Sequence, residues 1–522
     1  MSGSDPEPED PRADVLVVGA GPTGLVLALW LTSMGVRIRL IDRAAEPGTT
    51  SRALAVQART LELYRQQGLA DVVVARGHRT AGVNLWVEGV LKARVPLSDI
   101  GRGMTPYAFM LVFPQDEHEG LLIERLAALG VEVERRCELA ELEQDAGGVT
   151  VTLRREGGGQ ETARFAYVAG CDGAHSRVRE ALGVGFPGGV YQQRFYVADV
   201  VAQGPCVDGE LHIDLDEADF LAVFPLAGEG RARVIGTVRG ERAERVDSLT
   251  FADVSDRAIR NLKLEVRRVN WFSTYRVHHR VANSFRGGRA FLVGDAAHIH
   301  SPAGGQGMNT GIGDAINLAW KLAAVLRGGA PDRLLDSYEA ERIGFARRLV
   351  ATTDRAFSFA TAEGGLADLV RTRAAPVLIP LITAAGPFRK FMFRTVSQIT
   401  LNYRQGPLSV GVAGRVRAGD RLPWAPGPGG EGVDNFAPLA DIGWQAHVYG
   451  EAPPELADWC AAQPLPLHEF DWRPDHADAG FERDALYLLR PDTYVAFASR
   501  SQSPAVLEAY FAHIGFRPLP YR

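Results

Sequence analysis

Apolar residues recur along this chain in three patterns, and each predicts a different kind of element. The first is a short, unbroken apolar run that ends directly in glycine: DVLVV at 14–18 before Gly19, FAYVA at 165–169 before Gly170, and AFLV at 290–293 before Gly294. Runs of this length without alternation predict strands covered on both faces, as in a parallel sheet. Apolar stretches at 25–34 and 310–326 (TGIGDAINLAWKLAAVL) predict helices. The second pattern is alternation. It marks 36–41 (VRIRLI), closed by Asp42, and short stretches at 210–215, 220–225 and 232–238 inside a region from 184 to 275, where an antiparallel sheet is expected. The third pattern begins near 401. A Pro- and Gly-rich loop at 421–433 precedes a strand at 444–448, a helix at 453–462 and a strand at 467–471. A hairpin of 485–489 with 493–498, turning at Arg490-Pro491-Asp492, and a last helix from Ser503 complete it. Residues 354–394 read as an apolar helical connector.

Length and composition narrow the class. A chain of 522 residues exceeds one ordinary core, so two or three domains are expected. Hydrophobic and charged fractions of 46% and 23% are those of a globular protein. A net charge of −6 gives no electrostatic case for nucleic acid or an acidic membrane surface. The apolar segments 25–31 and 375–382 fall well short of the ~20 residues a spanning helix needs, and Pro376 and Pro380 interrupt the second. The opening MSGSDPEPEDPR (1–12) reads as a disordered tail without the basic start and apolar core of a signal peptide. Cys137, Cys171, Cys206 and Cys460 form no CxxC pair, so a reduced, cytoplasmic protein is expected.

Chemistry enters at the glycines. Gly19-Ala20-Gly21-Pro22-Thr23-Gly24 lies between a strand and a helix, and the next strand ends in an acid, Asp42. This is the dinucleotide-binding arrangement: Gly19 for the tight turn, Gly21 for close approach of the backbone to a pyrophosphate, Gly24 for helix–strand packing, and Asp42 for ribose hydroxyls. The helix N-terminus adds free N–H groups and a positive dipole end. The motif alone does not choose between NAD and FAD. The stretch GDAAHIHSPAGGQGMN (294–309) permits a metal reading through Asp295, His298 and His300, but no dense set of further ligands lies nearby in sequence. Its glycines and Pro302 instead suit close approach to a flat ring. The helix expected from Thr310 would favour negative charge at the ring's end.

Together with GxGxxG, the stretches GCDGAHSRVR (170–179) and Gly294-Asp295 resemble the three fingerprints of the class A flavoprotein aromatic hydroxylases, in order and spacing over nearly the whole chain. The resemblance implies an α/β fold: a Rossmann-like FAD-binding domain of para-hydroxybenzoate hydroxylase type, an antiparallel-sheet substrate domain, and the thioredoxin-like C-terminal domain of the phenol and polyketide hydroxylase branch. The expected boundaries are 13–75, 102–183 and 276–353 for FAD binding, 76–101 and 184–275 for substrate, 354–400 for the connector and 401–522 for the last domain. With Cys460 as its only cysteine, that last domain is expected to serve packing or dimerisation rather than redox work.

The resemblance also implies roles. Gly19, Gly21 and Gly24 would hold the FAD pyrophosphate, Asp42 the adenosine ribose, and Asp295, beside Gly294, the ribityl chain. Asp172 would lie where FAD and NADPH (or NADH) both pass. Arg43, Arg52 and Gln115 match family positions that touch FAD or NADPH, although the arginines read equally well as surface charges and Gln115 as a helix cap. Pro302, Gly305, Gly307, Met308 and Asn309 would floor the ring, and His298 would be structural. Substrate-lining candidates are Phe220, Phe224, Pro225 and Tyr275, with Trp271 and Phe272 beside them and Arg233 as a weaker candidate; each reads as well as a core residue. The implied reaction is NAD(P)H- and O2-dependent hydroxylation of an aromatic ring, polycyclic and phenolic, through a flavin C4a-hydroperoxide. Baeyer–Villiger insertion, epoxidation and hydroxylation of a small phenol remain alternatives. A non-catalytic escort protein or a simple NAD dehydrogenase would leave one or more of the three motifs unexplained.

Overall fold

The computed structural model describes residues 13–48, 53–98, 100–215, 220–238, 249–254, 256–301, 305–361, 386–430, 432–463 and 465–516. The expected tail (1–12), Arg52, Pro302 and the apolar segment 375–382 lie outside these residues.

The three apolar runs become neighbouring strands of one sheet. Its order is Arg286–Gly287, Ala290–Leu292, Tyr167–Gly170, Val15–Val18, Ile38–Ile41, Val133–Glu134, and every pairing is parallel except that of the first two strands. Val15–Val18 is buried along its whole length, as a strand covered on both faces must be; helix Pro22–Ser33 packs on it, and the antiparallel strands Cys137–Asp145, Gly148–Arg155 and Gln160–Phe165 share its core. Helix Pro22–Ser33 buries every residue from Gly24 to Leu31 and packs against helix Gly307–Leu326. All three glycine motifs therefore leave the carboxyl ends of adjacent parallel strands, where open α/β sheets bind ligands. Both helices begin earlier than expected, at Pro22 and Gly307 rather than near Leu25 and Thr310. Proline's fixed φ suits the first helical position, so the apolar pattern alone marks the start too late.

A second sheet has eight strands, ordered His298–Ile299, Glu265–Val281, Gly188–Gln203, Arg231–Val238, Phe220–Pro225, Leu211–Leu215, Gly82–Val87, Val90–Pro96. It is not purely antiparallel, because Leu211–Leu215 runs parallel to Gly82–Val87. The long connection between those two strands permits a parallel pairing that a hairpin could not. Strand Glu265–Val281 continues through position 275, where a domain boundary was expected, and carries the chain from this sheet to the first. His298–Ile299 pairs with its end, so the last glycine motif is joined to both sheets.

The C-terminal part forms a six-stranded mixed sheet, ordered Val416–Arg417, Val410–Ala413, Val495–Ser499, Leu486–Leu489, Gln445–Tyr449, Leu467–Phe470, with helices Pro454–Ala462 and Pro504–Ile514. Parallel Gln445–Tyr449 and Leu467–Phe470 joined by a helix, followed by an antiparallel hairpin and a helix, make a thioredoxin-like unit. Cys460 is buried and unbridged. Trp320 meets Trp444 edge-on at 5.8 Å across the junction with the first sheet's helices.

Charges are buried at the same junction. Arg490 donates to both Glu341 oxygens at 2.6 and 3.0 Å and to Asp492, while Lys321 donates to Glu341 at 2.8 Å. Arg421 and Arg59 share Glu62, and Arg59 also reaches the Asp492 carbonyl at 2.8 Å. Burial opposes ionisation of Glu341, but Arg490 and Lys321 outweigh it and take its pKa down to about 2.

Candidate cofactor site

In the first motif the three glycines serve different ends. Gly19 has φ +102°, and a Cβ there would stand 2.4 Å from the Cys171 carbonyl oxygen. A Cβ on Gly24 would stand 1.9 Å from the Gly19 carbonyl oxygen, so both positions are closed by the protein itself. Gly21 caps helix Pro22–Ser33 without a side-chain bond, and a Cβ there would meet no atom within 4 Å. Open space at the N-terminus of a twelve-residue helix with no acid in its first turn suits a phosphate. Asp42 does something the sequence did not reveal. Its carboxylate accepts from Ala20 N at 2.6 Å and Ala44 N at 2.7 Å, bracing the glycine turn, with Arg135 3.9 Å away.

Asp172 faces this turn from the next strand. One oxygen accepts from Arg177 N at 2.7 Å and Val178 N at 3.2 Å, at the start of helix Arg177–Ala181. The other, Oδ1, is buried without a partner among the described residues, and burial raises the carboxyl pKa. A native protein rarely leaves such an atom orphaned, so Oδ1 is suited to a ligand's donor. Neighbouring Cys171 is buried in the core, as its packing role requires.

Gly294 (φ +63°) and Gly311 close around one side chain: a Cβ on either would lie 2.6 or 2.4 Å from Thr23 Oγ1. Asp295 is exposed on the short turn Gly294–Ala296. His298 Nε2 donates at 2.6 Å to Asp314 Oδ2, which also accepts from Gly294 N at 3.2 Å. Arg342 holds the other Asp314 oxygen and donates to the Thr310 carbonyl and Tyr403 hydroxyl. Burial would raise the Asp314 pKa, but Arg342 and His298 outweigh it and lower it. Among the described residues no His, Cys, Asp and Glu side chains gather into a set that could hold a metal ion.

The head of helix Gly307–Leu326 departs from expectation. Its N-cap is Gln306, which makes no side-chain cap. The N–H groups of Gly307, Met308 and Asn309 have no intrahelical acceptor by position. The Asn309 side chain does not face a ligand: it accepts from Gln57 N and Thr60 Oγ1 and donates to the Ala55 and Gly305 carbonyls, using its full capacity inside the protein. Met308 is partly buried against the core. Gly305 (φ +61°) is pressed on Ala55, 2.8 Å from where its Cβ would be. Gln115 does not cap its helix but is its first residue, donating to Glu119 at 2.8 Å. Arg43 is exposed beside Asp42.

The eight-stranded sheet divides the aromatic candidates between its faces. Phe220 and Tyr275 cluster with Phe195, Val277 and Tyr191, while Phe224 packs with Met110, Leu54, Val112 and Ile235. Pro225 is buried. Phe272 belongs to the opposite core with Tyr196, 6.0 Å away, so it does not line the same surface as Tyr275. Arg233, 1% exposed, is held by both Asp199 oxygens at 2.5 and 2.7 Å with Trp271 5.9 Å from its guanidinium. A fork already matched to a carboxylate is not left for a substrate carboxylate.

Residues 12–353 match the family described as FAD binding domain. The chain belongs to the class A flavoprotein aromatic hydroxylases. It is 39% identical to the 6-methylpretetramide 4-monooxygenase of Streptomyces rimosus over 78% of its length and 72% of that protein. It is also 33% identical to a flavin-dependent monooxygenase of Mycobacteroides abscessus over 96% of its length and 99% of that protein. The solved structure of the OxyS anhydrotetracycline hydroxylase from Streptomyces rimosus superposes with a TM-score of 0.77 at 29% identity, covering 96% of this chain and 99% of that one. The protein is thus an FAD-dependent aromatic monooxygenase, and no helix among its described residues is long and apolar enough to cross a membrane.

Sequence reasoning missed several residues of this flavoprotein's site. Asp314 and Arg342 brace its third motif, and the only signal was an acid inside an otherwise apolar buried helix. Thr23, an ordinary variable position of the glycine motif, proves to be the wedge between two motifs. The spare space at Gly21 gives a direct test. Gly21→Ala should unfold at nearly the wild-type temperature yet lose most of its FAD affinity, measured by thermal unfolding of the apoprotein and by flavin titration. A full loss of fold would show that the glycine serves the protein rather than the cofactor.

Proposed function

We propose that this monooxygenase uses NAD(P)H and O2 to hydroxylate a polycyclic phenolic substrate of aromatic-polyketide type. The observation that carries the reading is the convergence of three glycine turns on one sheet edge, beside an apolar face of the second sheet. The named actions of relatives support the substrate class: one acts on 6-methylpretetramide and another on anhydrotetracycline. Bound FAD supplies the oxygen-activating chemistry, with NAD(P)H as reductant.

The protein's own groups bind, orient and exclude water. Gly19 and Gly24 shape the first turn, and the N–H groups behind Gly21 take the pyrophosphate. Asp42 serves the adenosine ribose while bracing the turn, and Arg43 and Gln115 border that end. Asp295, next to Gly294, binds the ribityl chain, and Asp172 Oδ1 accepts from whichever dinucleotide passes it. Backbone N–H groups at Gly307, Met308 and Asn309 would face the end of the flavin ring and favour negative charge there, since a helix N-terminus favours an anion. Gly305 sets the approach to that helix. Phe220, Phe224 and Tyr275 offer the substrate an apolar surface, with Pro225 shaping the strand. Arg52 and Pro302 lie outside the described residues.

The test is a substrate screen read on the flavin. Polycyclic phenols should accelerate NADPH-dependent bleaching of the bound flavin several-fold, and product NMR should report an intact ring carrying a new hydroxyl. Acceleration by simple phenols alone would overturn the substrate class. A ring-expanded ester would replace hydroxylation by Baeyer–Villiger chemistry, and a purified protein that never takes up FAD would defeat the whole reading.

A further inference from the structure

His300 ends the strand-like segment that enters the last glycine loop. Its Nδ1 lies 2.7 Å from the Ser301 carbonyl oxygen. A carbonyl only accepts, so Nδ1 carries the proton. Burial pushes the imidazole pKa down to about 4, which keeps the ring neutral near pH 7. Nε2 is therefore a bare lone pair. It is buried and has no hydrogen-bond partner among the described residues. Its neighbour is the first residue of helix Gly307–Leu326: a Cβ on Gly307 would lie 3.6 Å from Nε2.

Two kinds of group thus stand side by side. The head of the twenty-residue helix offers N–H donors, and His300 offers one acceptor. A phosphate or carboxylate, which only accepts, would satisfy the donors and leave the lone pair facing negative charge. A neutral edge with a carbonyl next to an N–H satisfies both. The flavin ring carries that pair at C2=O and N3–H. We propose that His300 Nε2 accepts a hydrogen bond from N3–H of the flavin, while the helix N-terminus binds the adjoining C2 carbonyl. This rests on the proposed position of the ring at that helix. His300 is then a cofactor-binding residue whose tautomer is fixed by Ser301, and it locks the ring's in-plane register.

The experiment compares binding of FAD and 3-methyl-FAD, which lacks the N3 donor, to apoprotein of wild type, His300→Leu and His300→Gln, by fluorescence titration. Wild type should prefer FAD by about tenfold, the worth of one buried hydrogen bond. His300→Leu, with no acceptor, should bind both flavins equally within about twofold, through weaker binding of FAD. His300→Gln, whose amide oxygen reaches a similar point, should keep most of the preference. Far-ultraviolet circular dichroism of each apoprotein checks the fold. An unchanged preference in His300→Leu overturns the proposal, as does a wild type that binds both flavins equally. Equal weakening of both flavins by His300→Leu, with the preference intact, marks a structural role and also overturns it. A wild type that binds neither flavin would instead strike at the FAD reading itself.

Discussion

Asp314→Ala is expected to give a chain that is both less stable and nearly free of flavin. The carboxylate is 1% exposed and joins Arg342, His298 and Gly294 N. Removing it leaves the Arg342 guanidinium buried without its counter-charge, which costs on the order of 3–5 kcal/mol. It also frees the turn that carries Asp295, so FAD occupancy of the purified protein should collapse. The double variant Asp314→Ala/Arg342→Met removes the stranded charge and should recover part of the stability but little of the flavin. Thermal unfolding and flavin content per chain separate these effects. Full FAD occupancy in Asp314→Ala would show that the turn holds its shape without the carboxylate.

A second large effect is expected at the junction with the thioredoxin-like unit. Arg490→Met leaves buried Asp492 without its counter-charge and Glu341 with Lys321 as its remaining cation, and should cost a similar ~3–5 kcal/mol. Arg490→Lys should recover little, because one ammonium cannot reproduce a fork that bonds two carboxylates. Here the loss should appear first as faster hydrogen exchange in strands Leu486–Leu489 and Val495–Ser499, with FAD largely retained. The pH dependence follows in sign. Glu341 has a folded pKa of about 2, below its ordinary 4.5, so its contribution is complete above pH 4.5 and is lost as pH falls towards 2. If exchange in those strands is indifferent to both Arg490→Met and acid, the ion cluster does not hold the unit in place.

Local pattern carried much of this protein. The parallel strands were legible because burial on both faces demands unbroken apolar runs, and the glycines because a turn that packs against a neighbouring backbone excludes Cβ. The thioredoxin-like unit was legible for the same reason: its strands and helices are set by short-range alternation and by prolines at helix starts. Such constraints act within a few residues, so a sequence displays them directly.

Only the tertiary structure decided which partner each polar residue has. Asn309 bonds Gln57 from 252 positions away, and Arg490 meets Glu341 across 149. A sequence marks these side chains as polar but cannot say whether a ligand or the protein satisfies them. Arg233 could not be told from a substrate-binding arginine until Asp199 was found in its fork. His300 and Asp172 differ for the opposite reason: each keeps one buried atom without a partner among the described residues. Burying a polar group costs free energy unless a bond replaces water, so a partner's presence is settled only once the chain has closed around it.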